Sequence, residues 1–394
     1  MSSHRKSGLG SRKGVIVLMG LLAIGVLFSL VGCEAVPLDI PAAVTSTPFQ
    51  PAPPSSETPP GPASWWEVYF TYPLTVNDPN NISDSIEQKL IDHINAAQTS
   101  IHIASFEFDL APVADALIAA HNRGVDVRWV TDNEFGLEAD TEPGGGQFAM
   151  LQNAGIEVRA DTRTALMHNK FWIFDGQILW TGSTNVTKNG IFVQDNNTIV
   201  FRSVKLAQIY ENEFQEMWDG KFGPKSPSQL PDQSIVLNGT PIQVIFTSED
   251  HAIETAIIPL VNSATTSIRF LAFSFTDFPL ADAMLKRAQA GVDVAGVMDK
   301  TQSGGTGSEL KTFFCASVPI RQDGNPQFMH NKIIVIDNRY VITGSLNFST
   351  SAEESNDENV IIIDNPEIAK LYMEDFDRVW NVGTDPDPAK ITCQ

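Results

Sequence analysis

His168 and Lys170 stand two residues apart, followed by Asp175 and, after six more residues, by Gly182-Ser183-Thr184-Asn185. The arrangement recurs as His330, Lys332, Asp337 and, again after six residues, Gly344-Ser345-Leu346-Asn347. A neutral imidazole can attack phosphorus, and a protonated one can hand its proton to a departing alkoxide. Displacement at phosphorus builds negative charge on the non-bridging oxygens. Fixed donors such as Lys170, Lys332, Asn185, Asn347, Ser183 and Ser345 therefore favour its transition state and form the expected phosphate-binding set. No metal or other cofactor is called for, because the paired lysines would repel a cation and the carboxylate within each motif falls on the strand face opposite His and Lys. A lone His or Lys reads as a satisfied or solvated side chain. Recurrence of six residue types at fixed spacing removes that reading.

Each motif needs a hairpin to carry it. Asp175-Gly176 and Asp337-Asn338 are turn dipeptides between β-rich runs, so the two Asp are assigned to the turns, and the return strands deliver Ser and Asn beside His and Lys. Upstream, Thr99 to Asp132 matches Thr266 to Asp299 at an offset of 167 residues. Each copy has an apolar run (101–106; 268–273), a capping residue (Asp109; Thr276), a Pro in the first helical turn (Pro112; Pro279), an amphipathic stretch, a closing Gly (Gly124; Gly291) and a Val-Asp-Val strand. That pattern is a β-α-β unit, present twice. The halves also begin alike, at Val68 and Val244. They end alike with Phe214/Trp218 and Phe376/Trp380, aromatic pairs one helical turn apart that read as core. The expected fold is α/β: two duplicated α/β/α sandwich halves, each with a mixed β-sheet flanked by helices, packed to share one active site. Gly144–Gly146 and the glycine-rich 304–307 read as flexible connections, since neither ends in the Gly-Lys-Ser/Thr of a phosphate loop.

The doubled His-x-Lys-x4-Asp-x6-Gly-Ser-x-Asn pattern resembles the signature of the phospholipase D superfamily, is matched without a gap in both copies, and extends the resemblance from about Trp65 to the chain end. The resemblance implies a phosphohistidine intermediate and one site at the interface of the halves. It further implies that His168, in the first copy, is the nucleophile and His330 the acid. In that family the acceptor that orients each His comes from shortly after Gly-Ser-x-Asn. At equal spacing from its own His, Glu358 in the second copy faces Asn196 in the first. Glu358 is therefore expected to orient His330, and Asp195 or the amide oxygen of Asn196 to orient His168. Single-copy members need a dimer to unite two His. This chain has both, so a monomer can be active and no obligate protein partner is expected.

Arg5, Lys6, Arg12 and Lys13 precede an apolar run from Val15 to Val31 that ends in Gly32-Cys33, an order that resembles a bacterial lipoprotein signal with Cys33 as the lipidated residue. The expected organisation is a signal peptide over 1–33, a Pro/Ser/Thr-rich tether over 34–64, a first half over 65–222, a linker over 223–239 and a second half over 240–394. The expected location is the extracytoplasmic side of a bacterial membrane. Loss of the four basic residues with the signal takes the formal charge from −21 to −25. Such a surface repels a polyanion, and no dense basic cluster offsets it, so nucleic acid is disfavoured as partner. A phospholipid on a membrane surface, reached through the lipid anchor, is the expected substrate, with cleavage of the headgroup diester or transfer to an alcohol. The alternatives are a cell-surface nuclease and a catalytically inactive lipoprotein that binds phosphate-bearing ligands. Cys315 and Cys393 are the remaining thiols, and an exported location permits them to pair.

Overall fold

The computed structural model describes residues 64–226 and 233–393. The expected signal segment with Cys33 lies outside the described residues, as does the tether apart from its last residue. In the first half the order is β1 (Trp66–Phe70), α1 (Ile86–Ala96), β2 (Ser100–Ser105), α2 (Ala111–Asn122), β3 (Asp126–Thr131), α3 (Gln147–Asn153), β4 (Glu157–Ala160), β5 (Lys170–Phe174), β6 (Ile178–Gly182), α4 (Lys188–Phe192), β7 (Asn197–Arg202) and α5 (Val204–Trp218). The second half follows with β8 (Ser234–Leu237), β9 (Thr240–Thr247), α6 (Ile258–Ser263), β10 (Ser267–Ala272), α7 (Phe278–Gln289), β11 (Asp293–Met298) and α8 (Leu310–Cys315). It ends with β12 (Ile320–Gln322), β13 (Lys332–Ile336), β14 (Tyr340–Gly344), α9 (Thr350–Glu354), β15 (Glu358–Asp364) and α10 (Pro366–Val382).

Among the described residues these strands form two mixed sheets, ordered β1-β7-β6-β5-β2-β3-β4 and β12-β11-β10-β13-β14-β15-β9-β8. The β-α-β units make parallel pairs, β2 with β3 and β10 with β11, while β5-β6 and β13-β14 are antiparallel hairpins. The two halves are pseudo-symmetric. Strands buried on both faces lose polar alternation. Accordingly Lys170–Phe174 and Lys332–Ile336 are buried throughout. Phe171, Ile173, Ile333 and Val335 face a central core shared with α5 and α10, whereas Trp172, Phe174, Ile334 and Ile336 face the outer helices. Phe214 stacks on Trp218 and Phe376 on Trp380 within or against that central core.

Three expectations need correction. Asp109 does not cap α2; its carboxylate accepts the Lys188 N–H, and the helix starts after Leu110 without a side-chain cap. Thr276 does not cap α7; Asp277 does, accepting from Leu280 N at 2.9 Å. The cause is that Phe108 and Phe275 first bridge to Val186 and Phe348, which extends the strand exit before the helix can turn. The stretch expected as linker also contains β8, which pairs with β9 around Asn238-Gly239 at φ 50° and 80°. Alternating Ser234-Ile235-Val236-Leu237 buries its Ile and Leu, and so belongs to the sheet. Cys315 and Cys393 form a disulfide with Cα atoms 5.4 Å apart, tying the last described residues to α8.

Candidate active site

The hairpin turns carry positive φ at both central residues, 55° and 61° at Asp175-Gly176 and 55° and 52° at Asp337-Asn338, the backbone that a tight two-residue hairpin requires. The Asp175 carboxylate accepts the N–H groups of Gln98, Thr99 and Ser100, and Asp337 does the same for Thr265, Thr266 and Ser267. Each Asp thus locks the hairpin to the start of the neighbouring central strand. Partial burial works against ionisation, but the surrounding N–H donors prevail and hold both carboxyls below the usual range. At the far end of each hairpin, Gly182 and Gly344 have φ 151° and 141°, and a Cβ there would collide with the carbonyls of Asn197 and Asn359. This is why the motif needs glycine ahead of the Ser.

The two halves exchange backbone at the site. Met167 bridges in parallel to Asp357, and Met329 to Asp195. His168 N donates to Asp357 O at 2.9 Å, and His330 N donates to Asp195 O at 2.8 Å. A parallel bridge sets the next residue of each segment beside its counterpart. Glu358 therefore meets His168, with Nδ1 and Oε2 2.7 Å apart, and Asn196 meets His330, with Nδ1 and Oδ1 2.9 Å apart. The expected pairing of Glu358 with His330 and of Asn196 with His168 is thereby reversed, because each ring takes its partner from the opposite half. Asp195 orients neither ring; its carboxylate is bound by Arg378 and Asn325. The spacer residues of the two motifs seal the exchange, since Asn359 Nδ2 donates to Asn169 Oδ1 and Asn197 Nδ2 to Asn331 Oδ1, both at 2.8 Å.

Asn196 Nδ2 donates to Gly190 O, so its oxygen faces His330, whose Nδ1 must carry the proton. Glu358 imposes the same tautomer on His168 when ionised, and both rings keep a lone pair on Nε2. His168 and His330 are 5% and 6% exposed. Burial first, then the charges of Lys170 and Lys332, holds both imidazoles well below their ordinary pKa. Burial also pushes Glu358 up to about 7 and Lys170 down to about 8, and holds Lys332 well below the usual lysine range. Lys170 Nζ donates to His168 O at 2.8 Å and Lys332 Nζ to His330 O at 2.6 Å, which leaves each ammonium further hydrogens for an anion. The two serines do not face such an anion. Ser183 Oγ donates to Asn196 Oδ1 and accepts from Asn197 N, and Ser345 Oγ accepts from Asn359 N and supports Glu358. They brace the groups that orient the rings, because both hydroxyls are buried under the strand exit.

Several site residues carried no signal in the motifs. Asp132 and Asp299 close the β-α-β units. One oxygen of each caps the following turn, while the other accepts from Met167 N or Met329 N at 3.1 Å, the residue ahead of each His. Their identical place in the repeat was the available clue. Phe106 and Phe273 pack edge-on against His168 and His330, and Lys170 and Lys332 lie over the same rings at 5.0 and 4.9 Å. Glu107 accepts from Asn185 Nδ2 at 2.7 Å, whereas Ser274 occupies the matching position of the repeat.

Two like halves that each bring a buried His–Lys pair to one seam, one imidazole backed by a carboxylate and the other by an amide, define a two-histidine phosphodiester-cleaving class. The chain belongs to the family described as "Cardiolipin synthase, PLD-like domain", whose model matches residues 90–218 and again 257–380. It is similar to a mitochondrial cardiolipin hydrolase of Xenopus laevis, 34% identical over 151 residues that cover 38% of this chain and 69% of that protein. A phospholipase D of Rickettsia conorii is 34% identical over 116 residues, covering 29% of this chain and 58% of its own length. The structure of a phosphatidylserine synthase from Haemophilus influenzae shares the fold at 15% identity and a TM-score of 0.56, covering 75% of this chain and 83% of that one. The chain is a phospholipase D-like phosphodiesterase, a hydrolase of phosphoric diesters.

Proposed function

We propose that this phosphodiesterase hydrolyses headgroup diesters of phospholipids through a phosphohistidine on His168, acting at the outer side of a bacterial membrane to which Cys33 anchors it. The observation that carries the reading is the unlike backing of the two rings: Glu358 on Nδ1 of His168, Asn196 on Nδ1 of His330. A carboxylate stabilises the cationic ring that forms when Nε2 bonds to phosphorus far more than a neutral amide does. His168 is therefore the nucleophile. Its Nε2 attacks phosphorus, the bond from phosphorus to the headgroup oxygen breaks, and the alkoxide takes the proton from Nε2 of protonated His330. Water then gives a proton back to His330 and its oxygen displaces His168, leaving a phosphomonoester; an alcohol in place of water gives transfer. Burial and then the charges of Lys332 and Lys170 hold His330 below its ordinary pKa, and the diester anion, held by Lys170, Lys332 and the second hydrogen of Asn185 Nδ2, offsets those charges and so favours the protonated ring. The similarity to proteins named cardiolipin hydrolase and phospholipase D supports a lipid substrate. The formal charge of −21 weighs against a polyanion.

The purified chain, given choline, glycerol and serine phospholipids and, separately, single- and double-stranded DNA and RNA, all with chelator present, tests the reading. Headgroup release that is lost in His168→Ala, with a phosphatidyl group recovered on His168 of the unaltered chain after an acid-free quench during turnover, is the expected result. Cleavage of nucleic acid alone would sink it.

A further inference from the structure

We propose that Glu107 is a specificity-determining residue that steers a cationic alkylammonium substituent of the diester into the cleft it lines and turns anionic substituents away. The inference deepens the reading above and rests on its placement of the diester between the two histidines. Glu107 follows Phe106, the ring packed against His168, and has no counterpart in the second half, where Ser274 stands. Its Oε2 accepts one hydrogen of Asn185 Nδ2, which fixes the whole amide. Asn185 is 5% exposed, and its Oδ1 has no partner among the described residues, as is also true of Asn347 Oδ1 in the second half; only Asn185 has a carboxylate beside it. A buried acceptor left open beside a carboxylate calls for a donor or a cation.

Glu107 is also a wall of a cleft of about 450 Å³ shared with Asp109, Phe135, Asp140, Glu142 and Lys188, a volume within the range of small-ligand sites. Asp109 is fixed by Lys188 N and Asp140 by the N–H groups of Gly146, Phe148 and Ala149, so their charges are held in place. Phe135 is 43% exposed and stands 5.2 Å from Phe106, ring centre to ring centre, which leaves it an open surface for an ammonium group. Four carboxylates against one lysine make the cleft hostile to a second phosphate. The first-half side of the site thus favours a cation, and the second half carries Ser274 in place of the Glu107 carboxylate.

The test uses the full chain in detergent and hydrolysis of bis(p-nitrophenyl) phosphate, a diester that carries neither lipid nor cation. Phosphocholine and sn-glycerol 3-phosphate are compared as competitive inhibitors. In the unaltered chain phosphocholine should inhibit about tenfold more tightly. Glu107→Gln, which keeps the acceptor for Asn185, should bring the two constants within about twofold, and Glu107→Asp should keep most of the preference. Equal inhibition by both compounds, inhibition by neither, or an undiminished preference in Glu107→Gln overturns the proposal. A retained preference in a chain that turns over no phospholipid would remove the lipid substrate and leave the role of Glu107 standing.

Discussion

An imidazole buried beside two ammonium groups is a poor proton acceptor until an anion joins it, and the orienting groups decide which of two such rings bears a bond to phosphorus. Glu358, pushed up to about 7 by burial, backs His168 only when ionised, and Lys170, pushed down to about 8, holds phosphate only when protonated. kcat/KM should therefore rise as pH climbs through about 7 and fall above about 8. Glu358→Gln should lower kcat by about 10²–10³ and abolish the acid limb while leaving the alkaline one. An acid limb that survives this substitution would show that another group titrates there. The sequence made the four His and Lys legible because they recur at fixed spacing, and it made the Glu358/Asn196 difference legible because both stand at the same distance from their His. It could not show which ring each one meets. Spacing measures distance along the chain, whereas the partners come from a parallel bridge between segments some 190 residues apart, as at His168 and Glu358.

At the scale of elements, the hairpin is the unit that delivers the chemistry, and its turn Asp is the fastener. Asp337 takes up three backbone N–H groups at the entry to β10, and Asp175 those at the entry to β2. Asp337→Ala leaves those donors to solvent and should cost about 1–3 kcal/mol, lower in that range because the site is partly exposed. The folded carboxyl lies below its unfolded value, so this stabilisation is present above the unfolded pKa of about 4 and is lost as pH falls through the folded one. Urea unfolding of the unaltered and Asp337→Ala chains should therefore differ at pH 7 and converge at strongly acid pH, while kcat/KM of the folded protein stays within a few fold. A gap independent of pH would mean that the side chain acts by packing. The β-α-β units and hairpins were legible from periodicity and turn dipeptides. The helix starts were misplaced by one residue because Phe108 and Phe275 bridge to Val186 and Phe348 before the helix begins, a contact set by the return strand of the motif and invisible to local capping rules.

For the whole molecule, the duplication predicts two halves that share one site, and the structure shows what each half lacks on its own. The central core draws Tyr210, Phe214 and Met217 from α5 and Tyr372 and Phe376 from α10. The tyrosine hydroxyls reach across to Asn359 and Asn197 at 3.3 and 3.2 Å. Residues 64–226 expressed alone would expose an apolar face and lack the carboxylate for His168, and residues 233–393 alone would lack Asn196. Each isolated half should self-associate to cover that face. The parallel bridge then sets the composition of each dimer: two copies of 64–226 pair every His168 with an Asn196, and two copies of 233–393 pair every His330 with a Glu358. Measured as dimers at equal concentration, the first should retain about 1% or less of the phosphodiesterase activity of the intact chain, because no ring has a carboxylate behind it. The second, with a carboxylate on both rings, should be at least about tenfold more active than the first, and Glu358→Gln should remove that advantage. Co-expression of the two halves should restore the activity of the intact chain. Equal activity of the two homodimers would break the link between carboxylate backing and turnover, and an active monomeric half would show that the exchange of backbone between halves is dispensable.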